Sequence, residues 1–277
     1  MTISLSDALA FRAAVLDFYA RSGRVCAWRE TDDPWAIFVS EIMLQQTQTK
    51  RVEPKYSEWM QRFPDAASVA RADLAAVYQA WRGLGYNSRA LRLRESARIC
   101  AERYSGAPPR DERLLLELPG VGRYTARAVM AFAYRVPSAF LETNIRAALL
   151  FHFFRGADKV ADHELEQAAE AVLDRPDPRT WYYALMDYGS WLKSKEPNPS
   201  RRAAAYSRQS KFQGSVRQAR GEVLRALGDE GRVSLASLAA EAGMEYGRLR
   251  EAAEGLRRDG LVRLKDDSVW FADQETD

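Results

Sequence analysis

The sequence has few of the side chains from which metal centres and histidine-based catalysis are built. Among 277 residues there are two cysteines, Cys26 and Cys100, and two histidines, His152 and His163. Two isolated thiols offer neither a disulfide framework nor a Cys-x-x-Cys ligand pair, and the histidines lack a zinc-ligand spacing such as His-Glu-x-x-His. We therefore expect the cysteines to be small core residues and the chemistry to depend on other side chains.

Long hydrophobic runs and an excess of charge of one sign are also missing. No apolar stretch approaches the length of a membrane span, and residues 1–21 read as an amphipathic helix rather than a secretory signal. We therefore expect a monomeric cytoplasmic or nucleoid-associated protein without a membrane partner. The formal net charge is only +3, yet nine lysines and arginines fall within residues 193–225. That segment fits a nucleic-acid phosphate backbone, and a solvated charged linker is the alternative.

What the sequence does contain is a long series of helical patterns. Apolar spacing predicts an all-α body, without an alternating strand pattern before about residue 230. Residues 215–271 then predict a helix, a short strand, two helices and a hairpin that turns at residues 266–267, which resembles a winged-helix module. Its last helix, the candidate recognition helix, either enters a DNA major groove or packs against a partner domain.

A Pro-Gly-x-Gly turn joins two of the predicted helices at residues 118–126. Two glycines permit positive φ and leave backbone N–H groups exposed at a helix start, which is a ready site for an anion. Gly120, Gly122 and Arg123 are therefore candidate ligands of a DNA phosphate. An ordinary tight turn between two helices is the alternative.

The residues around this turn resemble a known family. The runs SEIMLQQTQ (residues 40–48) and LPGVGRYTA (residues 118–126), with GLGY (residues 83–86) between them, are similar to adenine DNA glycosylases of the MutY type in the HhH-GPD superfamily. The resemblance covers about residues 10–210. It implies an all-α, two-module helix-hairpin-helix glycosylase fold with DNA bound across a cleft.

The resemblance also implies where the domains lie. The glycosylase domain takes residues 1–212, with a six-helix barrel module over about 34–142 and a second helical module from 1–33 and 143–212. The small winged-helix-like α+β module takes residues 213–277.

Two carboxylates are expected to carry the chemistry. Hydrolysis of an N-glycosidic bond passes through an oxocarbenium-like sugar, so it needs an acid for the leaving base and negative charge near the sugar. Glu41 lies in a largely apolar helix, which we expect to raise its pKa, and the resemblance gives it the acid position. Glu142 stands where the family has an Asp two residues before Asn144, so we expect Glu142 to stabilise the cation and Asn144 to orient it. A helix N-terminal carboxylate is the alternative for Glu142.

Tyr124 separates this chain from a related group. By the resemblance, it stands where endonuclease III has a lysine that opens an abasic strand through a Schiff base. A tyrosine cannot form that imine. We therefore expect a monofunctional glycosylase that uses water as its nucleophile.

Base flipping requires residues that enter the duplex and a pocket for the extruded base. By the resemblance, Gln46 and Tyr86 match positions that enter the duplex near the mismatch. The positions that match or neighbour those lining the base pocket are Trp28, Arg29, Leu44 and Asp187. For Trp28 and Leu44 a place in the protein core is the alternative.

Two departures from the family concern the cofactor and the substrate. The cysteines that hold a [4Fe–4S] cluster in relatives correspond to Lys193, Ser200, Ala203 and Gln209, so we expect neither a cluster nor any other cofactor or metal. Basic residues of the same loop that could contact phosphates are Lys195, Arg201, Arg202 and Arg208. The β-rich domain that reads 8-oxoguanine in typical members is replaced by the winged-helix-like module.

The expected activity is excision of a mispaired adenine, opposite guanine or 8-oxoguanine, from double-stranded DNA in base excision repair. The alternatives are excision of hypoxanthine, uracil or thymine, and a catalytically decayed DNA-binding protein.

Overall fold

The computed structural model describes residues 3–204 and 213–274. Over these ranges the chain is mainly helical. The helices are α1 (Leu5–Ser22), α2 (Pro34–Leu44), α3 (Thr49–Arg62), α4 (Ala66–Arg71), α5 (Leu74–Trp81), α6 (Ser88–Arg103), α7 (Glu112–Leu116), α8 (Arg123–Tyr134), α9 (Thr143–Phe153), α10 (Asp162–Ala171), α11 (Pro178–Lys195), α12 (Val216–Glu230), α13 (Leu235–Ala242) and α14 (Tyr246–Arg258). Of the helices so described, none combines the length and the apolar composition that a bilayer crossing requires.

The chain forms two compact units, and each is assembled from separate stretches of sequence. The first unit contains the described parts of residues 1–37, 110–117 and 121–208, and the second those of residues 38–109, 118–120 and 209–277. Helices α7 and α8 thus group with α1 and α9–α11, and the C-terminal module groups with α3–α6. The boundaries at residues 34, 142 and 212 stay predictions.

The core of the first unit is built around α9 and α11. Phe140 and Tyr182 stack with ring centroids 3.9 Å apart, and the Tyr182 hydroxyl donates to the Ser138 carbonyl at 2.8 Å. Gly189 lets α11 approach α9 closely, because a Cβ at this position would lie well inside the van der Waals contact distance from the Asn144 carbonyl oxygen. The close approach places α11 directly against the first turn of α9.

The C-terminal module of the second unit has the predicted order of elements. Its strands are β1 (Arg232–Ser234), β2 (Val262–Lys265) and β3 (Ser268–Phe271), paired antiparallel in the order β1–β3–β2. Residue 266 turns the hairpin with φ 53°. Leu74 and Tyr78 of α5 lie in the same buried cluster as Leu224 of α12 and Phe271 of β3. The module therefore shares one core with part of the body of its own unit.

Most predicted helices are confirmed to within a few residues, and the clearest exception is α2. The apolar spacing of the sequence predicts a helix over residues 35–48, whereas α2 ends at Leu44. Arg89 supplies the physical reason, since its Nη1 donates to the carbonyls of Ile42, Met43 and Gln45 at 2.9, 2.9 and 2.6 Å. These carbonyls lie at the end of the helix, where no backbone N–H is in place to satisfy them.

Candidate active site

Glu41 lies near the middle of α2 and is almost completely withdrawn from solvent. The residue is 3% exposed, and the following Ile42 and Met43 are 1% and 0% exposed. Pro34 begins the helix, and the Asp33 carboxylate accepts from the Trp35 N–H at 2.9 Å. A carboxyl group held in a rigid, largely apolar helix has the environment that favours general-acid chemistry.

Glu142 is the N-cap of α9. Its Oε1 accepts from the N–H groups of Asn144 at 2.7 Å and Ile145 at 3.0 Å, and its Oε2 accepts from Asn144 Nδ2 at 3.2 Å. The description of Glu142 as a helix N-terminal carboxylate is thus confirmed. The same contacts fix both oxygens in place, with Asn144 as the residue that orients them. A role for Glu142 in stabilising a cation stays a prediction.

The charge on Glu142 depends on its burial and on one lysine. Removal from water raises the pKa of Glu142, and the positive charge of Lys193 together with the cap hydrogen bonds lowers it only in part. Lys193 itself, half-buried on α11, has a lowered pKa because burial disfavours its charged form. The two groups therefore form a partly dehydrated pair at the amino end of α9.

In the turn before α8, the two glycines have different backbone conformations. Gly120 has φ 84°, which favours glycine, and a Cβ there would lie 3.1 Å from Arg92 Cδ. Gly122, the N-cap of α8, has φ −97°, so only Gly120 uses the left-handed freedom that both glycines permit. A Cβ on Gly122 would meet no atom within 4 Å. Its missing side chain therefore leaves open space beside the first N–H groups of α8, as a bound phosphate would need.

The first residues of α8 face different surroundings. Arg123 is exposed and its Nη2 lies 3.6 Å from the Glu166 carboxylate. Tyr124 packs edge-on against Phe140, with ring centroids 5.6 Å apart. The aromatic contact holds Tyr124 at the start of α8.

Asp187 on α11 is held by two arginines from the segment before α2. Arg29 donates to both carboxylate oxygens at 2.8 Å, and Arg24 donates through its backbone N–H and its Nε at 2.7 Å. These four bonds occupy the usual acceptor sites of a carboxylate. Asp187 therefore positions Arg24 and Arg29 in this structure. Trp28, 3% exposed, lies between them in sequence, and a direct role of these residues in base binding stays a prediction.

Gln46 and Tyr86 lie on two loops that a single buried arginine joins. Both residues have left-handed backbone conformations, with φ 55° and 47°. Besides the α2 carbonyls, Arg89 donates through Nη2 to Thr47 Oγ1 at 2.9 Å and to the Leu84 and Gly85 carbonyls at 3.2 and 3.0 Å. Leu44, half-buried, precedes this loop as the last residue of α2.

The loop that carries a cluster in relatives does not fit one here. Lys193, Ser200 and Ala203 offer no thiolate, Gln209 lies outside the described residues, and both cysteines are buried elsewhere. In residues 3–204 and 213–274 there is no group of three His, Cys, Asp or Glu that could hold a metal ion.

Arg202 has the main structural role in this loop. It donates to the carbonyls of Leu150 at 2.9 Å and Phe154 at 2.8 Å, at the carboxyl end of α9. Its phosphate contact stays a prediction. For Lys195 and Arg201 that contact stays a prediction, and Arg208 lies outside the described residues.

Sequence reasoning missed three residues of the site. Lys193 is identified only as a basic residue at the place of a replaced cysteine, because nothing in the sequence indicates its proximity to Glu142. Gly189, inside a predicted helix, carried a usable signal, since an interior glycine often marks close packing. Arg89 carried none, because it is one of several arginines on α6 and only the folded chain shows its partners.

Comparison with known proteins places this geometry in context. Residues 39–176 match the family described as HhH-GPD superfamily base excision DNA repair protein. An adenine DNA glycosylase of Mycolicibacterium smegmatis is 36% identical over 232 residues, covering 78% of this chain and 79% of the relative.

Two solved structures share the fold. A thermostable thymine-DNA glycosylase has a TM-score of 0.59 at 26% identity, covering 66% of this chain and 86% of its own. A non-covalent endonuclease III–DNA complex has a TM-score of 0.59 at 18% identity, covering 70% of this chain and 90% of its own.

Proposed function

Because the chain belongs to the HhH-GPD superfamily of base excision DNA repair proteins, and within it to the adenine DNA glycosylases of the MutY type, we propose that it excises mispaired adenine from double-stranded DNA. The base opposite is guanine or 8-oxoguanine. The geometric observation that carries the proposal is the fixed Glu142 carboxylate at the start of α9, oriented by Asn144.

Glu41 acts as the general acid in this proposal. Protonation of a purine ring nitrogen turns the adenine into a neutral leaving group, which lowers the barrier to breaking the bond between sugar and base. The burial of Glu41 supports this role, because removal of a carboxyl group from water is one of the means by which enzymes prepare it for acid chemistry.

Glu142 stabilises the sugar cation that forms as the base departs. The role requires the ionised form, and the fixed cap geometry means that no reorganisation is needed when the positive charge develops. Water then attacks the cation. Tyr124 cannot replace water by forming an imine, so the product is an abasic site in an unbroken strand.

The remaining site residues hold the DNA. Gly120, Gly122 and Arg123 bind a phosphate at the open amino end of α8. Gln46 and Tyr86, on the two loops joined by Arg89, enter the duplex when the target nucleotide leaves it. Trp28, Arg29, Leu44 and Asp187 form or support the pocket for the extruded base.

A second candidate substrate is mispaired thymine. It is favoured by the 26% identity to a thymine-DNA glycosylase.

A panel of duplexes tests the proposal. Duplexes with one A:G, A:8-oxoguanine, T:G, U:G or hypoxanthine:C pair are incubated with excess protein and then treated with alkali, which cleaves only at abasic sites. We expect alkali-dependent cleavage at adenine and no cleavage without alkali. Glu41→Gln should lower the single-turnover rate by about 10²- to 10⁴-fold with unchanged DNA affinity. Absence of adenine release from every pair refutes adenine excision, and release of thymine alone supports the second candidate.

A further inference from the structure

The C-terminal module contributes one wall of a groove that contains both duplex-entering loops. The groove has a volume of about 850 Å³ and lies entirely within the second unit. One side is formed by the loop after α2 and the turn before α6, including Gln46 and Tyr86. The other side is formed by α12, through Arg217, Gly221 and Arg225.

The electrostatic character of the groove is positive. Its lining includes Arg51, Arg82, Arg217 and Arg225, and no Asp or Glu among the residues that the structure describes. Two of these arginines form ion pairs, Arg82 with Asp229 at 3.1 Å and Arg225 with Glu222 at 2.8 Å. Arginines arranged in this way along a groove favour a polyanion such as a nucleic-acid strand.

Arg217 ties α12 to the candidate duplex-entering tyrosine. Its Nη1 donates to the Tyr86 hydroxyl at 2.9 Å, and its guanidinium carbon lies 5.7 Å from the ring centre. Arg89 lies 5.6 Å from the same ring. The orientation of Tyr86 is therefore set jointly by α6 and by the C-terminal module.

Gly221 is the second, independent observation. A glycine within a helix lowers the stability of that helix, so an interior glycine usually has a packing reason. A Cβ at Gly221 would meet no protein atom within 4 Å, although the residue lines the groove. The space beside it is open on the side where the arginines lie, which fits the close approach of a ligand backbone.

We infer that α12 binds the DNA strand opposite the excised base. Arg217 and Gly221 contact the sugar-phosphate backbone of that strand, and Tyr86 lies beside the base that has lost its partner. The inference rests on the proposed function. Gln45 Nε2 donates to the Gly120 carbonyl at 3.1 Å, so the loop after α2 contacts the start of the phosphate-binding turn through Gln45 and lines the groove through Gln46. If that turn holds the strand from which the base is excised, the strand that reaches the groove past Gln46 is the complementary one.

Binding measurements test the contact. The probe is a short duplex with a tetrahydrofuran abasic analogue opposite guanine. Arg217→Ala should raise Kd about tenfold and lower the slope of log Kd against log salt by about one. Arg103→Ala, which removes an exposed arginine at the end of α6 outside the groove, is the matched control and should change Kd less than about twofold. Equal effects of the two variants, or a larger effect of Arg103→Ala, would overturn the inference.

A glycine variant separates ligand contact from folding. The Cβ of Gly221→Leu would meet no protein atom within 4 Å, and leucine favours a helix more than glycine does, so the unfolding temperature should be unchanged or raised. Binding of the same duplex should weaken by about tenfold or more. Unchanged affinity would contradict the inference even if Arg217→Ala proved disruptive. Wild-type binding and base release in the same preparation show whether the proposed function itself holds.

Cross-linking tests the strand assignment. Both native cysteines are buried, so Arg217→Cys adds one accessible thiol among the described residues. With duplexes that carry a disulfide tether at successive phosphates, we expect trapping on the strand opposite the abasic analogue, and none with Arg103→Cys at the same phosphates. Trapping of Arg217→Cys on the strand that carries the analogue would refute the assignment.

Discussion

At the scale of single residues, Glu142 caps α9 and, in the proposed mechanism, also stabilises the sugar cation. These two tasks are usually given to different side chains. Glutamate is not among the preferred N-cap residues, since its longer side chain loses more freedom on capping than Asp or Ser. Here the longer Glu142 side chain is restrained by Asn144, whose Nδ2 donates to Glu142 Oε2 at 3.2 Å. The cap therefore keeps the carboxylate in one orientation while burial and Lys193 set its charge.

Lys193 should control the acidic limb of the pH–rate profile. In the proposed mechanism the active form of Glu142 is the carboxylate, so we expect the rate to rise with pH through the raised pKa of this group. Lys193→Met removes a positive charge that lowers that pKa, and the acidic limb should move to higher pH. Single-turnover rates of adenine release across the acidic range measure the shift. The control is Lys195→Met, an exposed lysine on the same helix, which should leave the limb in place.

Stability should respond to the same titration in the opposite direction. A carboxyl group with a raised pKa in the folded state favours folding when protonated, so its contribution is present at low pH and is lost as pH rises through that pKa. Activity from Glu142 thus appears where its contribution to stability disappears. An acidic limb that is the same for wild type and Lys193→Met would contradict the prediction that the charge of Lys193 lowers the pKa of Glu142.

The sequence identified Glu142 and Asn144 because their spacing is local. It did not identify Lys193, since the proximity of that residue to Glu142 follows from the close approach of α11 to α9 at Gly189.

At the scale of secondary-structure elements, Arg89 determines the shape of the loops that carry Gln46 and Tyr86. One buried guanidinium satisfies carbonyls at the end of α2 and in the turn before α6. Burial lowers its pKa to about 10, and the described acceptors are carbonyls and a hydroxyl rather than a carboxylate.

Arg89→Met should destabilise the protein strongly and loosen both loops. The substitution leaves several buried carbonyls without donors, each costing about 1–3 kcal/mol, so we expect a loss of about 3 kcal/mol or more in the free energy of unfolding. Urea denaturation measures it. Arg98→Met, on the exposed face of α6 with ion pairs to Glu95 and Glu102, is the control and should scarcely move the urea midpoint. A similar midpoint for the two variants would show that Arg89 is dispensable.

Helix existence was predictable from sequence, and helix ends were predictable where the signals are local. Pro34 begins α2 and Gly243 ends α13 in a left-handed conformation, as their residue types indicate. The end of α2 depends on an arginine more than 40 residues away in sequence, so periodicity alone extended the helix too far.

At the scale of the whole molecule, the C-terminal module was predicted as a separate domain, and its elements are confirmed. Its packing was not predictable. Leu74 and Tyr78 read as the apolar face of an ordinary helix, and their burial, to 4% exposure each, depends on α12 and β3. The ring of Tyr78 lies 6.0 Å from that of Phe271.

Removal of residues 213–277 should therefore destabilise the remaining chain. Exposure of the Leu74 and Tyr78 side chains alone costs about 2–5 kcal/mol. We expect a lower unfolding temperature and binding of a hydrophobic dye, measured by calorimetry and fluorescence. The same truncation with Leu74→Gln and Tyr78→Gln should bind less dye. An unfolding temperature equal to that of the full chain would show that the module contributes nothing to the body.

The interleaving of the two units has a consequence for biosynthesis. Arg24 and Arg29 meet Asp187 some 160 residues later, and the Leu74 N–H meets Asp273 at 2.6 Å, 199 residues later. Neither unit can close while the ribosome still holds its last segment, so early helices leave the exit tunnel before their partners exist. The early helices of the nascent chain therefore keep their apolar faces exposed until the late segments of their own unit have been translated.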